Sequence, residues 1–144
     1  MTSIQEQIQD QMLAVLLNAT TAGASVSRSK ETFLSRQSVR SIGIFPGQET
    51  DRAISDRSDE HELIINIEIF GRGDPWYSVA DPVAVEAHRL LLNDAALLAL
   101  ITRIRRISRT PTDEDGDQTA GMYQMEYRIT YLTKSSDIAD RTTF

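Results

Sequence analysis

Residues 123–131 read Tyr-Gln-Met-Glu-Tyr-Arg-Ile-Thr-Tyr, an alternation of apolar and polar side chains without a fault. Successive side chains of an extended chain point to opposite faces, so a strand gathers Tyr123, Met125, Tyr127, Ile129 and Tyr131 on one face. A helix would scatter them around its axis. A second run behaves the same way: Leu63, Ile65, Ile67 and Ile69 alternate with Ile64, Asn66, Glu68 and Phe70. A chain holding two such runs must build a sheet and cover its apolar face with something.

The cover is legible as helices. Ser3 and Glu6 form S-x-x-E, a capping box that starts a helix, and Ile4, Ile8, Met12, Val15 and Leu16 recur at helical spacing, widened by Leu13 and Leu17. Residues 20–23, Thr-Thr-Ala-Gly, stop it. Asp81-Pro82 predicts a second helix start, with Asp as N-cap and proline where its missing N–H costs nothing. In that helix Glu86, Arg89 and Asn93 form the polar stripe, opposite Val83, Ala84, Ala87, Leu90 and Leu91. Asn93-Asp94 ends it, and residues 95–100 add a short apolar turn.

The remaining elements carry weaker signals. Residues 24–38 are rich in Ser and Arg, with an edge strand over 26–33 as the best reading. Residues 39–45 form a strand halted by Pro46-Gly47. Residues 48–60 are charged, lack an apolar pattern and read as the long exposed tip of a hairpin. Ile101, Ile104 and Ile107 fit a helix face or an edge strand, and the strand is preferred because the run at 123–131 needs a partner. Between them, TPTDEDGDQT is a hairpin tip with Pro111 and Asp115-Gly116 as turn chemistry. Residues 136–144 read as a flexible C-terminal tail. The expected fold class is α+β: a mostly antiparallel four- to five-stranded sheet with two main helices packed on one face, forming a single domain over residues 1–135.

At 144 residues the chain suits one domain. It has no cysteine, which excludes disulfides, thiolate metal ligands and thiol nucleophiles. No apolar run approaches the length of a membrane span, and the N-terminus lacks the pattern of a signal peptide, so cytoplasmic synthesis is expected. A net charge of −6 opposes general nucleic-acid binding. The charge is uneven: Arg103, Arg105, Arg106 and Arg109 form a basic cluster, while 49–62 and 113–117 are acidic. Arginine outnumbers lysine 13 to 2, a bias that suits protein interfaces.

The catalytic inventory is thin. The glycine-rich phosphate-binding motifs and the nucleophile elbow are absent. His88 reads as an imidazole packed on a helix, and His61, between Glu60 and Glu62, as an exposed strand start. Neither has a second metal ligand at a recognised spacing. Asp113-Glu114-Asp115-Gly116-Asp117 fails the EF-hand pattern, because Gln118 and Gln124 stand where glycine and glutamate are needed. No metal, cofactor or catalytic residue is expected. Arg72-Gly73-Asp74 reads as a strand-to-helix corner rather than a receptor ligand. Trp76 and Tyr77 beside it either plug the core or anchor a contact, with the plug favoured.

Taken in order, the chain offers an amphipathic helix and a long-tipped hairpin whose second strand reads LIINIEIFGRGD. A helix with VEAHRLLLND and AALLAL follows, then the strand RIRRISR, an acidic loop and the closing strand YQMEYRITYLT. Over residues 1–135 this order resembles the tail-terminator (tail-completion, minor tail) proteins of long-tailed bacteriophages. The alternate tyrosines of the closing strand before a polar tail are its most characteristic part.

The resemblance implies a non-enzymatic virion protein. It would form a ring, six-membered in that family, on the head-proximal end of the tail tube, stop tube polymerisation and offer a surface to the head. Its partners would be further copies of itself, the major tube protein and the head connector or adaptor. DNA would only pass through the lumen, and no membrane is involved. The location implied is the virion tail, assembled in the bacterial host cytoplasm. Arg103, Arg105, Arg106 and Arg109, the acidic tip Asp113, Glu114, Asp115 and Asp117, and the aromatics Trp76 and Tyr77 are the candidate subunit or tube contacts. A head–tail adaptor or stopper, and a small α+β ligand-binding domain or enzyme, stay open as alternatives.

Overall fold

The two alternating runs pair with each other. In the structure, a computed structural model describing residues 2–34, 38–114 and 117–141, strand β3 (Ser58–Arg72) lies antiparallel to β5 (Asp117–Lys134). Leu63 faces Ile129, Ile65 faces Tyr127, and Ile67 faces Met125. Their apolar faces therefore coincide. A one-residue slip would turn both to solvent, so burial fixes the register.

Strand β2 (Arg40–Ala53) pairs antiparallel with the other side of β3, and β4 (Arg103–Glu114) with the other side of β5. A two-residue β1 (Val26–Ser27) joins β2 in parallel, and β6 (Asp137–Arg141) pairs with the end of β5 beyond β4. Among the described residues the sheet thus has six strands in the order β1-β2-β3-β5-β4, with β6 beside β5. It is mixed rather than purely antiparallel and larger than the four to five strands expected.

Helices α1 (Ile4–Leu16) and α3 (Trp76–Asn93) share one core cluster with the inward residues of β2, β3 and β5. Ser3 caps α1, its hydroxyl accepting from the Glu6 N–H at 3.1 Å. The Glu6 carboxylate pairs with Arg28, which also holds Asp10 and the buried Gln9. This is what the Ser/Arg-rich stretch does: it clamps β1 to α1. The edge strand expected over 26–33 is only the two residues of β1, followed by a short α2 (Lys30–Leu34) on the opposite face of the sheet. There Phe33, Phe70 and Ala120 form a second small cluster with Phe45 and Met122.

Three further expectations are corrected. Helix α3 begins at Trp76, so Asp81 is not its N-cap and Pro82 lies inside it. The proline forgoes one intrahelical bond, a loss offset by the burial of Trp76 and Ala80 in the added turns. The charged stretch 48–60 is not a loop: β2 runs to Ala53 and β3 starts at Ser58, so the pair projects as an arm with a turn at 54–57. Polar residues hold a strand here because the backbone bonds to β3 need no apolar side chains. The tail read as flexible carries β6 over Asp137–Arg141, with Lys134 paired to Asp140 at 2.7 Å.

The Arg72-Gly73-Asp74 segment is the corner from β3 to α3, as read. Its backbone is pinned, the Arg72 N–H to Val39 O and the Gly73 N–H to Thr119 O, both at 2.9 Å. A last helix, α4 (Ala95–Leu100), starts at Asp94, whose carboxylate accepts from the Leu97 N–H.

Candidate functional site

Two regions outside the core carry concentrated chemistry: the open edges of the sheet, and a polar cluster at the base of the arm.

At one edge, β4 has β5 as its only strand neighbour among the described residues. Arg103, Arg105 and Arg106 are exposed and make no ion pair among the described residues. Arg109 differs. It pairs with Asp81 at 2.5 Å and lies 3.8 Å from the Tyr123 ring centroid, so it braces β4 against α3. At the opposite edge β1 covers only Ile42 and Gly43 of β2. Residues 47–53 have no strand neighbour on that side among those described.

The two free edges stand at the same level of the ladder. Thr50, Glu62, Thr130 and Arg103 form one row across four strands, and Glu49, Leu63, Ile129 and Ile104 form the next. The two edges carry opposite charge. The arm at 49–62 has six carboxylates and two arginines, whereas 103–109 has four arginines and no carboxylate.

The other predicted contacts divide. Trp76 is 1% exposed, and its Nε1–H donates to Asp113 Oδ1 at 2.6 Å. It is a core plug and no surface anchor, because the indole is spent inside its own domain. Asp113 is correspondingly tied to that indole. Tyr77, at 48% exposure, faces solvent beside Trp76. Glu114 is paired in the ladder with Asp117, which opens β5. Asp115 lies outside the described residues.

The polar cluster is formed by three strands. Asp51, His61 and Tyr131 are one row across β2, β3 and β5. Glu49 and Thr133, each two residues along its strand, share the same face. His61 is 3% exposed. Its Nδ1 lies 2.5 Å from Asp51 Oδ1 and its Nε2 2.7 Å from Thr133 Oγ1. The ring stacks on Tyr131 at 4.6 Å between centroids, and the Tyr131 hydroxyl donates to Glu49 Oε1. Burial first, then the bond and charge of Glu49, push the Tyr131 pKa far above the phenol range, so Tyr131 is a permanent neutral donor.

His61 was expected at an exposed strand start, and the structure overturns that. The signal was present: the inward phase of 63, 65, 67 and 69, extended back two residues, lands on His61. Glu49 and Asp51 had no such signal, because their stretch lacked any apolar pattern.

The second histidine matches its reading as a packed imidazole. His88 Nδ1 lies 2.8 Å from the Tyr127 hydroxyl. Burial, and next the charge of Arg106, depress its pKa. Burial pushes Tyr127 up to about 12. No helix among the described residues is long and apolar enough to cross a membrane.

No protein-family model matches the chain, and no curated protein matches it.

Proposed function

We propose that this chain is a ring-forming assembly protein of the tail-terminator kind. It caps the head-proximal end of a phage tail tube, stops tube growth and presents the head-joining surface. It acts without catalysis, in the virion tail, with copies of itself, the tube protein and a head connector as partners. DNA passes through the lumen without being bound.

The observation that carries this reading is the match between the two open edges. In a cyclic assembly each subunit presents one edge to the opposite edge of the next, a heterologous contact that closes by rotation. Strand directions alternate from β2 through β3 and β5 to β4. Rotation about an axis along the strands therefore sets β4 of one copy antiparallel to β2 of its neighbour. Because 49–50 and 103–104 stand at one level, that contact needs no axial rise, which favours a closed ring over a helical filament. Arg103 then stands level with Thr50, between Glu49 and Asp51 of the neighbouring arm, and complementary charge sets orientation and register. Pro46, Pro111 and the bulges at 46–49 and 106–108 interrupt both edges. Such devices discourage indiscriminate strand addition and leave recognition to the charged side chains.

Electron microscopy of polymerising tube subunits from the same gene neighbourhood, with and without the purified chain, tests the reading. Short tubes bearing a ring at one end support it. Unchanged tubes with bare ends, at saturating protein, move the assignment to a head–tail adaptor or to a protein outside the tail.

A further inference from the structure

We infer that Glu49, Asp51 and His61 form a binding site for a divalent transition-metal ion, at the base of the β2–β3 arm. The chemistry expected is that of zinc, cobalt or manganese rather than calcium or magnesium. The inference does not depend on ring formation.

The donor set comes first. One imidazole nitrogen and two carboxylate oxygens lie within 4.8 Å of one another. An ion bonding at about 2.0–2.2 Å holds its ligand atoms about 3–4 Å apart, so these three reach a common point after small side-chain rotations. Asp51 must move most, because its oxygen and Nδ1 stand 2.5 Å apart, on hydrogen-bonding terms. Its side chain is 57% exposed and free to do so. A nitrogen donor with carboxylates suits first-row transition metals, whereas the hard cations take oxygen alone.

The support around the donors is the second element. Metal-bound histidines commonly engage their other ring nitrogen, which fixes the tautomer and the ring plane. Here Nε2 meets the hydroxyl of Thr133, which is 0% exposed. With metal on Nδ1, the ring hydrogen is on Nε2 and donates to that oxygen. Tyr131 stacks on the imidazole and gives its hydroxyl hydrogen to Glu49, so a third strand orients two of the three ligands. The backbone is a paired ladder, with Asp51 directly opposite His61, and this holds the Cα positions before any ion arrives. Solvent reaches the site from the Asp51 side, leaving remaining coordination positions for water.

Sequence spacing hides such a site. Asp51 and Glu49 stand ten and twelve residues before His61 in the chain and meet it only because the arm folds on itself.

The test is calorimetric titration of chelator-treated full-length protein with zinc, cobalt, manganese and magnesium, with the visible spectrum of the cobalt form as a second readout. The expected result is one zinc or cobalt ion per chain, magnesium binding at least about tenfold weaker, and cobalt bands reporting nitrogen and oxygen donors. Asp51→Asn, in an exposed side chain, should weaken binding at least about tenfold while the circular dichroism is unchanged. Thr133→Val should weaken it about tenfold or more through the imidazole it supports. Asp56→Asn at the arm tip should leave affinity as it was. Zinc binding no tighter than magnesium, or undiminished by Asp51→Asn, overturns the proposal.

Discussion

The indole of Trp76 occupies the space where a side chain at position 121 would stand. A Cβ built on Gly121 would lie 2.3 Å from Trp76 Cε2 and 2.7 Å from Thr112 O. Gly71, directly opposite Gly121 in the ladder, makes room in the same way, its Cβ position lying 2.7 Å from the Trp76 carbonyl oxygen. Two cross-strand glycines thus let the first turn of α3 rest on bare sheet backbone. Gly121→Ala is expected to destabilise the chain by about 3 kcal/mol, at the upper end for overpacking, because backbone as well as side chain must move. Urea unfolding followed by the fluorescence of the single tryptophan reads it directly. A loss below about 0.5 kcal/mol would show that α3 can lift off without cost.

On the opposite face, Glu68 is buried and receives Lys30 Nζ at 2.7 Å, while the same ammonium sits 4.3 Å from the Phe45 ring centroid. Removing the cation leaves a buried carboxylate without its charge partner. Lys30→Met should cost about 2 kcal/mol, reduced from the fully buried case because the lysine is half exposed. The double variant Lys30→Met with Glu68→Gln should recover part of that loss in denaturant melts. No recovery would place the effect in packing rather than charge.

His88 contributes a pH dependence of definite sign. Its folded-state pKa is lowered below the ordinary 6.5 by burial and then by Arg106. The unfolded chain therefore takes up the proton first, and stability falls as pH drops through 6.5. The fall levels off once the pH is below the folded-state value. One proton sets a ceiling of about 1.4 kcal/mol per pH unit, and the solvent contact of His88 keeps the slope well under it. His88→Gln should flatten the difference between melts at pH 7.5 and pH 5 relative to the parent. An unchanged difference assigns the dependence elsewhere.

Reversing Arg103 and Arg105 to Glu together should abolish ring formation, measured by light scattering after chromatography with tube ends present, and leave the monomer melt within about 0.5 kcal/mol, as for exposed surface changes. Placing lysine at Thr50, the β2 residue level with position 103, in that variant should restore part of the assembly. Full assembly by the Arg103, Arg105 double variant would remove the β4 edge from the interface.

The sequence by itself determined what local periodicity can carry. The alternation at 63–69 and 123–131 specified two strands and their inward faces, Ser3 and Glu6 specified where α1 starts, and Asp94 marked the break between α3 and α4. In each case one short window contains both the pattern and its cause. Only the tertiary structure decided the rest. The strand at 48–53 exists because β3 supplies its backbone partners, and no side chain of its own announces that. Helix α3 starts ahead of Asp81-Pro82 because Gly71 and Gly121, fifty residues apart in the chain, clear a place for Trp76. His61 is buried, and joined to Glu49, Asp51, Tyr131 and Thr133, because pairing register sets three strands side by side. Periodicity fixes which face a residue takes; what waits on that face depends on contacts between distant segments.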